Sequence, residues 1–333
     1  MTLPTYSIAI RTLGTSGETF RQELESICAQ TVQPEQVLVY IAEGYERPVF
    51  TVGPEKYVWV KKGMMTQRVL PYDEISSDCI LMLDDDVFLA PDSAEKMLKA
   101  LEEHDADCVG ADVFKNHEMT FWQKVYAALS NMVFPHGDHC WAFKIHRNGS
   151  FSYNNHPTRP FYWSQSCGGP AMMWKKDAFL RLPLEEERWL DQFGFAFGED
   201  ALVSYKLYSN GGRLGVLYDS GLENRDGKSS SDSFRKSQDW MYKRTKASLM
   251  IWWRMCYRNG RDTFGSRLWA ALAFGFKSLW MVPSVCLSAL IYHKRRWIPD
   301  YFKGLADGYM ACRSDAFKHL PPYVFTLLYD KNS

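Results

Sequence analysis

Three consecutive aspartates, Asp84, Asp85 and Asp86, follow directly on the apolar run CILML at 79–83. Carboxylates a few ångströms apart repel one another, so such a cluster at the end of a buried strand calls for a counter-charge. A divalent cation supplies it. Hard oxygen ligands select Mg2+ or Mn2+, ions that complete their shells with water and substrate phosphates. Side chains alternate in extended backbone, which sets Asp84 and Asp86 to one side and Asp85 to the other. The plain alternative is an acidic loop capping the next helix. A second acidic pair, Glu199-Asp200, heads another helical segment. A carboxylate there can take the proton of a hydroxyl nucleophile, or simply favour a helix N-terminus through the dipole.

The elements that must hold these groups are legible as a doubly wound α/β pattern. A strand at 6–11 leads through the turn-forming Gly14 to Gly17 into a helix at 19–30, with Leu24, Ile27 and Cys28 at helical spacing, and then into a strand at 36–41. Further strands are predicted at 57–60, 79–83, 108–114, 171–174 and 214–218. Helices are predicted at 65–75, 91–103, 121–133, 176–182 and 201–209. A hairpin is predicted over 141–153, turning at Arg147-Asn148-Gly149, because Asn-Gly tolerates the positive φ of a tight turn. In an open parallel sheet ligands sit beyond the carboxyl ends of the strands, where the three aspartates fall.

The ordered set LDDDV at 83–87, a loop holding Gly168-Gly169 and FGED at 197–200 before a helix resembles the family 2 glycosyltransferases of the GT-A fold, over about residues 6–218. That fold is Rossmann-like, with a mostly parallel central sheet flanked by helices. The resemblance implies an inverting transfer from a nucleotide-diphosphate sugar, a UDP-sugar foremost. It places Asp86 as direct metal ligand, Asp84 by the ribose and metal, Asp85 beside them, Asp200 as general base and Glu199 as its neighbour in the acceptor site. It also places Thr12 and Glu43 at the nucleoside, Arg68 at the donor or its phosphates, and Gly168 and Gly169 where backbone approaches the sugar. Ala42-Glu43-Gly44 departs from the family's Asp-Asp-Gly. Glu223-Asn224-Arg225 stands where a His is common. Trp163 and Gln165 offer a stacking face and an amide to the sugars, and Arg225 and Lys228 two cations to the diphosphate; packing and surface roles are the plain alternatives for all four. His136, His139 and Cys140 in PHGDHC have ligand-like spacing, but no second pair completes a zinc set.

The net charge of zero conceals an asymmetry. Residues 1–234 carry 22 Lys+Arg against 33 Asp+Glu, whereas 235–296 carry 13 against 2. The boundary is drawn there, giving a transferase domain at 1–234 and a basic, aromatic-rich helical region at 235–333. A basic block wants a polyanionic partner, and an anionic membrane surface is expected rather than a nucleic acid. The stretch 268–292 holds one charge, Lys277, and one helix breaker, Pro283. Its length could span a bilayer, but basic residues flank both ends, so a helix pair lying in or dipping into the interface is predicted, a buried core helix being the plain alternative. The eight cysteines are scattered singly and the N-terminus is not that of a signal peptide, so a cytoplasmic enzyme on the inner membrane face is expected, acting on a saccharide or lipid-linked acceptor. A nucleotidyltransferase would use the same aspartates but lacks its glycine-rich triphosphate loop here. A membrane-binding or polyanion-binding module without catalysis would leave both acidic motifs unexplained.

Overall fold

The computed structural model describes residues 3–112, 138–194, 197–225, 237–259 and 263–325. They form two compact units, one of Met1–Lys144, Ser152–Asp191 and Glu199–Gly227, the other of Ile145–Phe151, Gln192–Gly198 and Lys228–Ser333. The predicted helix at 121–133 lies outside the described residues.

In chain order the strands are β1 (Tyr6–Thr12), β2 (Val37–Ala42), β3 (Glu55–Val60), β4 (Cys79–Asp84), β5 (Val87–Leu89), β6 (Cys108–Ala111), β7 (Phe143–Ile145), β8 (Phe151–Tyr153), β9 (Phe161–Trp163), β10 (Ala171–Lys175), β11 (Leu214–Leu217) and β12 (Leu222–Asn224). The helices are α1 (Gly17–Cys28), α2 (Met64–Arg68), α3 (Ser93–Glu103), α4 (Lys176–Leu180), α5 (Glu199–Ser209), α6 (Trp240–Trp252), α7 (Phe264–Ile291), α8 (Trp297–Cys312) and α9 (Asp315–Lys318). A 3-10 helix covers Leu184–Phe193, and a π turn, Trp253–Tyr257, continues α6.

The first unit is an eight-stranded sheet in the order β3-β2-β1-β4-β10-β6-β11-β9. β1, β2 and β4 are buried nearly throughout, as apolar runs covered on both faces must be. α1 lays Phe20, Leu24 and Ile27 against the sheet at helical spacing, all at most 2% exposed. Each such side chain contributes roughly 1.5–3 kcal/mol on burial. β10 runs antiparallel to both its neighbours and β9 antiparallel to β11, so the sheet is mixed. Apolar patterning carries no strand direction. Of the strand predicted at 108–114, β6 covers Cys108–Ala111, and residues 113 and 114 lie outside the described residues. The helix predicted at 65–75 ends at Arg68, because Pro71 disfavours helical backbone at Leu70 and Tyr72 takes a φ of 50°. The Asn148-Gly149 turn is present, with Gly149 at φ 72°.

The second unit is helical. Gly304 and Gly308 of α8 meet the backbone of α6, where a Cβ would come within 2.7 Å of the Tyr242 carbonyl oxygen and 3.2 Å of that of Lys246. Met241, Val285, Ala289, Trp297 and Tyr301 close a small core. In place of the predicted helix pair, α7 is one continuous helix of 28 residues that runs through Pro283. It is long and apolar enough to cross a membrane. Its outward side chains are apolar: Leu268, Trp269, Leu272, Phe276, Leu279 and Trp280 are all exposed.

Candidate active site

The site forms where the strand order turns, between β1 and β4. Arg11 of β1 is the register partner of Asp84 of β4, and its guanidinium pairs with the Asp84 carboxylate. One residue on, the Thr12 hydroxyl donates to Asp85 and accepts the Gly14 N–H at 2.7 Å. Gly14, at φ 74°, is required because a Cβ would run into the Glu46 carbonyl oxygen. The loops after β1 and β2 thereby meet backbone to backbone. Burial above all raises the Asp85 carboxyl, against the lowering effect of Thr12 and Ser16.

Asp86 is half-buried at the head of a short ribbon of β5 and β12. Its carbonyl accepts the Arg225 N–H at 2.8 Å, and Asn224 pairs with Val87. The Asn224 amide oxygen is buried with no hydrogen-bond partner among the described residues. The Arg225 guanidinium lies 3.8 Å over the Phe88 ring and donates to Gln22 at 3.2 Å. Behind the aspartates Glu23 of α1 is 1% exposed; among the described residues no side chain bonds its carboxylate oxygens, and the Val87 backbone N–H is the group that favours its charged form. Burial, then Asp85 and Asp86, push its carboxyl well above the usual range.

The Glu199-Asp200 pair is set among α2, the Gly168-Gly169 loop and the first turn of α5. Arg68 is 1% exposed and its Nη2 lies 3.3 Å from both Glu199 Oε1 and the Gly169 carbonyl oxygen. A Cβ at Gly169 would stand 3.0 Å from Arg68 Nη2 and 3.2 Å from Asp200 Cβ, so only glycine lets the three meet without displacement. The next residue ties this loop to the aspartates, since the Asp84 N–H donates to the Pro170 carbonyl at 3.0 Å. Asp200 is pushed up to about 6, first by burial and second by Glu199, with Arg68 opposing. A carboxylate so tuned is a base matched to neutral pH. Asp191 holds α2 in place by accepting the N–H groups of Met65 and Thr66 at 2.8 and 3.0 Å. Gln67 bridges the Thr12 and Tyr40 carbonyls.

Thr12, Asp84, Asp85, Arg68, Gly169, Glu199 and Asp200 are thus linked through side chains and the Pro170 loop, and Arg225 through the Asp86 backbone. Glu43 is exposed at the end of β2, its N–H donating to the Val60 carbonyl at 2.7 Å. Trp163 and Gln165 belong elsewhere. Trp163 pairs with Gly215 and packs on His104, Phe161 and Arg213 towards the amino ends of β6 and β11. The Gln165 amide donates to Tyr208, about two turns along α5 from Asp200. An aromatic residue beside a sugar and one in a sheet edge look alike in sequence. Lys228 and His136 lie outside the described residues. The His139 imidazole accepts the Trp141 N–H at 3.2 Å, a local turn contact. Nothing local in the sequence singles out Glu23 or Asp191. Arg11 carried a signal, a lone cation in an apolar strand.

Among the described residues no group of three or more His, Cys, Asp or Glu side chains forms a ready metal cage. The donor set nevertheless suits a cation shared with phosphates. Mg2+ and its analogues bind through one or two carboxylates and substrate oxygens, and the half-buried Asp84, Asp85 and Asp86 carboxylates, with the Asn224 amide oxygen that has no partner among the described residues, gather oxygen donors here.

Residues 60–156 match Glycosyl transferase family 2. Over 95 residues the chain is 36% identical to the uncharacterized glycosyltransferase YwdF of Bacillus subtilis (strain 168), covering 27% of this chain and 35% of that protein. The chain therefore spans about a third of the length of that curated relative. Among solved structures it resembles S. aureus TarS 1-349 in complex with UDP-GlcNAc, at a TM-score of 0.51 and 14% identity over 94% of this chain and 83% of that one. It also resembles GalNAc-T7 with UDP, GalNAc and Mn2+, at 0.50 and 12% over 96% and 59%. At these identities the likeness establishes the GT-A fold.

Proposed function

We propose that this chain, a family 2 glycosyltransferase by sequence and a GT-A protein by fold, moves a sugar from a nucleoside diphosphate, a UDP-sugar foremost, to a hydroxyl of a saccharide acceptor. The observation that carries this reading is the juxtaposition of Asp200, tuned to about 6, with the buried Arg68, the Gly169 loop and, through Pro170, the Asp84 end of β4. Asp86, with Asp84, would hold Mn2+ or Mg2+, which supplies Lewis-acid neutralisation of the departing diphosphate. Thr12 and Glu43, at the ends of β1 and β2, would contact the nucleoside. Asp200 takes the acceptor hydroxyl proton as the new C1–O bond forms, and the electron pair of the old C1–O bond leaves with the diphosphate. Attack from the face opposite the leaving group inverts the anomeric carbon. Glu199 and Arg68 hold the first turn of α5 so that Asp200 meets the acceptor.

The exposed apolar side of α7 and the basic residues at its ends support a bilayer partner and hence a lipid-linked acceptor, in surface polysaccharide or glycolipid synthesis. The eight cysteines are free thiols, which supports a cytoplasmic enzyme peripheral to the inner face.

The deciding experiment is nucleoside diphosphate release from a panel of nucleotide sugars with Mn2+ and with EDTA. Release is expected only with metal, and Asp86→Ala should lose metal-dependent donor binding in calorimetry. Unchanged donor affinity in that variant, or pyrophosphate release from a nucleoside triphosphate instead, would overturn the assignment.

A further inference from the structure

The first unit carries a cleft of about 540 Å³, within the size range of small-ligand sites, whose walls include Tyr45, Glu46, Arg47, Val49, Thr51 and Trp59. Trp59 belongs to β3, the edge strand of the sheet, and the other five to the loop between β2 and β3. The Trp59 side chain is large, apolar and 49% exposed, yet it is held in place. Its Nε1 donates to the Tyr45 carbonyl at 3.2 Å. The Tyr45 ring is fixed in turn by Lys62, whose ammonium donates to the Tyr45 hydroxyl at 2.6 Å and lies 4.8 Å from the ring centre. The loop is tied down along its length: the Glu46 carbonyl abuts Gly14, Phe50 packs on Phe20, and the Glu55 carboxylate accepts the N–H groups of Val52 and Gly53 at 3.0 and 2.7 Å. A site so preorganised loses little freedom when a ligand enters.

The chemistry of the walls selects the class of ligand. With its N–H given to Tyr45, Trp59 offers its ring face, whose negative π charge attracts the weakly positive C–H groups on the apolar side of a pyranose. An ionised Glu46 only accepts hydrogen bonds, Arg47 only donates them, and Thr51 does both. Sugar hydroxyls, each at once donor and acceptor, are satisfied by that mixture. One carboxylate against one guanidinium leaves the walls with no excess charge, which suits a neutral ligand better than a phosphate. The cleft is also apart from the transfer centre: β2 and β1 stand between β3 and β4, so Trp59 is roughly 14 Å from the strand that carries Asp84. We propose that this cleft is a second saccharide-binding site, which holds a neutral sugar unit of the acceptor or product chain away from the reacting hydroxyl. The inference rests on the transferase reading above for the source of that saccharide, whereas the binding itself requires neither Asp86 nor Asp200.

The test uses the full chain in EDTA, without nucleotide, titrated with maltohexaose, mannohexaose and chitohexaose in calorimetry and saturation-transfer NMR. At least one should bind saturably, with transfer strongest to its ring C–H protons. Its affinity should fall at least tenfold in Trp59→Ala and recover in large part in Trp59→Phe, which restores a stacking face. Trp59 is exposed, so the fold should persist; Glu46→Ala/Arg47→Ala, also exposed, is a second variant expected to weaken binding. Trp269→Ala, which removes an exposed tryptophan from α7, should bind as the parent does. No binding of any of the three saccharides, or equal weakening in the Trp59 and Trp269 variants, would overturn the site. Uridine that displaces the saccharide and itself loses affinity in Trp59→Ala would overturn the saccharide assignment in favour of a nucleobase. Nucleoside diphosphate release separates the two readings: release without saccharide binding refutes the second site alone, and saccharide binding without release from any donor refutes the transferase reading alone.

Discussion

Arg68 Nη2 stands 3.3 Å from Glu199 Oε1, a guanidinium and a carboxylate joined in the interior of the first unit, with side-chain exposures of 1% and 11%. The pair links α2 to the start of α5 and sets the neighbour of the proposed base.

Removing one partner of a buried pair leaves the other charge uncompensated. Arg68→Met is therefore expected to cost about 3–5 kcal/mol in urea unfolding. Adding Glu199→Gln should recover much of that loss. Equal stability of the single and double variants would show that the pair is not coupled.

Asp200→Asn should lower transfer by roughly 10²–10⁴-fold while donor binding persists. In the parent, kcat/KM should fall about tenfold per pH unit below about 6, where Asp200 becomes protonated. Stability should move the other way. The folded carboxyl holds its proton more tightly than the unfolded one, near 3.9, so stability declines as pH rises between those values and the penalty is complete above about 6. Asn removes the penalty, giving a gain on the order of 2 kcal/mol at pH 7.5 and little at pH 3.5 in chemical unfolding.

Glu23 follows the same sign with no metal required. Its carboxyl is raised well above the usual range by burial and by Asp85 and Asp86, so holding it in the folded state destabilises increasingly as pH climbs above its unfolded value. Glu23→Gln should raise the Tm at pH 7.5 and leave it nearly unchanged at pH 4. A lower Tm at pH 7.5 would mean that the carboxylate is compensated in the fold.

For α7, Leu272→Glu, Phe276→Glu and Leu279→Glu together should reduce co-sedimentation with anionic vesicles at least a hundredfold. These side chains are 59, 69 and 72% exposed, so folding in solution should be spared. Retained vesicle binding with intact circular dichroism would move the membrane contact elsewhere on the chain.

The sequence by itself determined the sheet's buried strands, the place of the three aspartates at the carboxyl end of β4 and the acidic pair at the head of α5, because burial on both faces writes continuous apolar runs and chemistry needs particular side chains. It also marked the charge break near residue 234. Only the tertiary structure decided which polar groups meet. Arg11 reaches Asp84 through strand register, Asp191 caps α2 from over a hundred residues away, and Glu23 turns out to be buried behind the aspartates. The antiparallel course of β10, the early end of α2 and the continuity of α7 through Pro283 belong to the same class. Trp163 shows the reverse case, a residue type suited to sugars that the register of β9 and β11 carries to the far end of the strands. Pairing across the sheet depends on contacts remote in sequence, and local patterning records only that a residue is buried, not what lies against it.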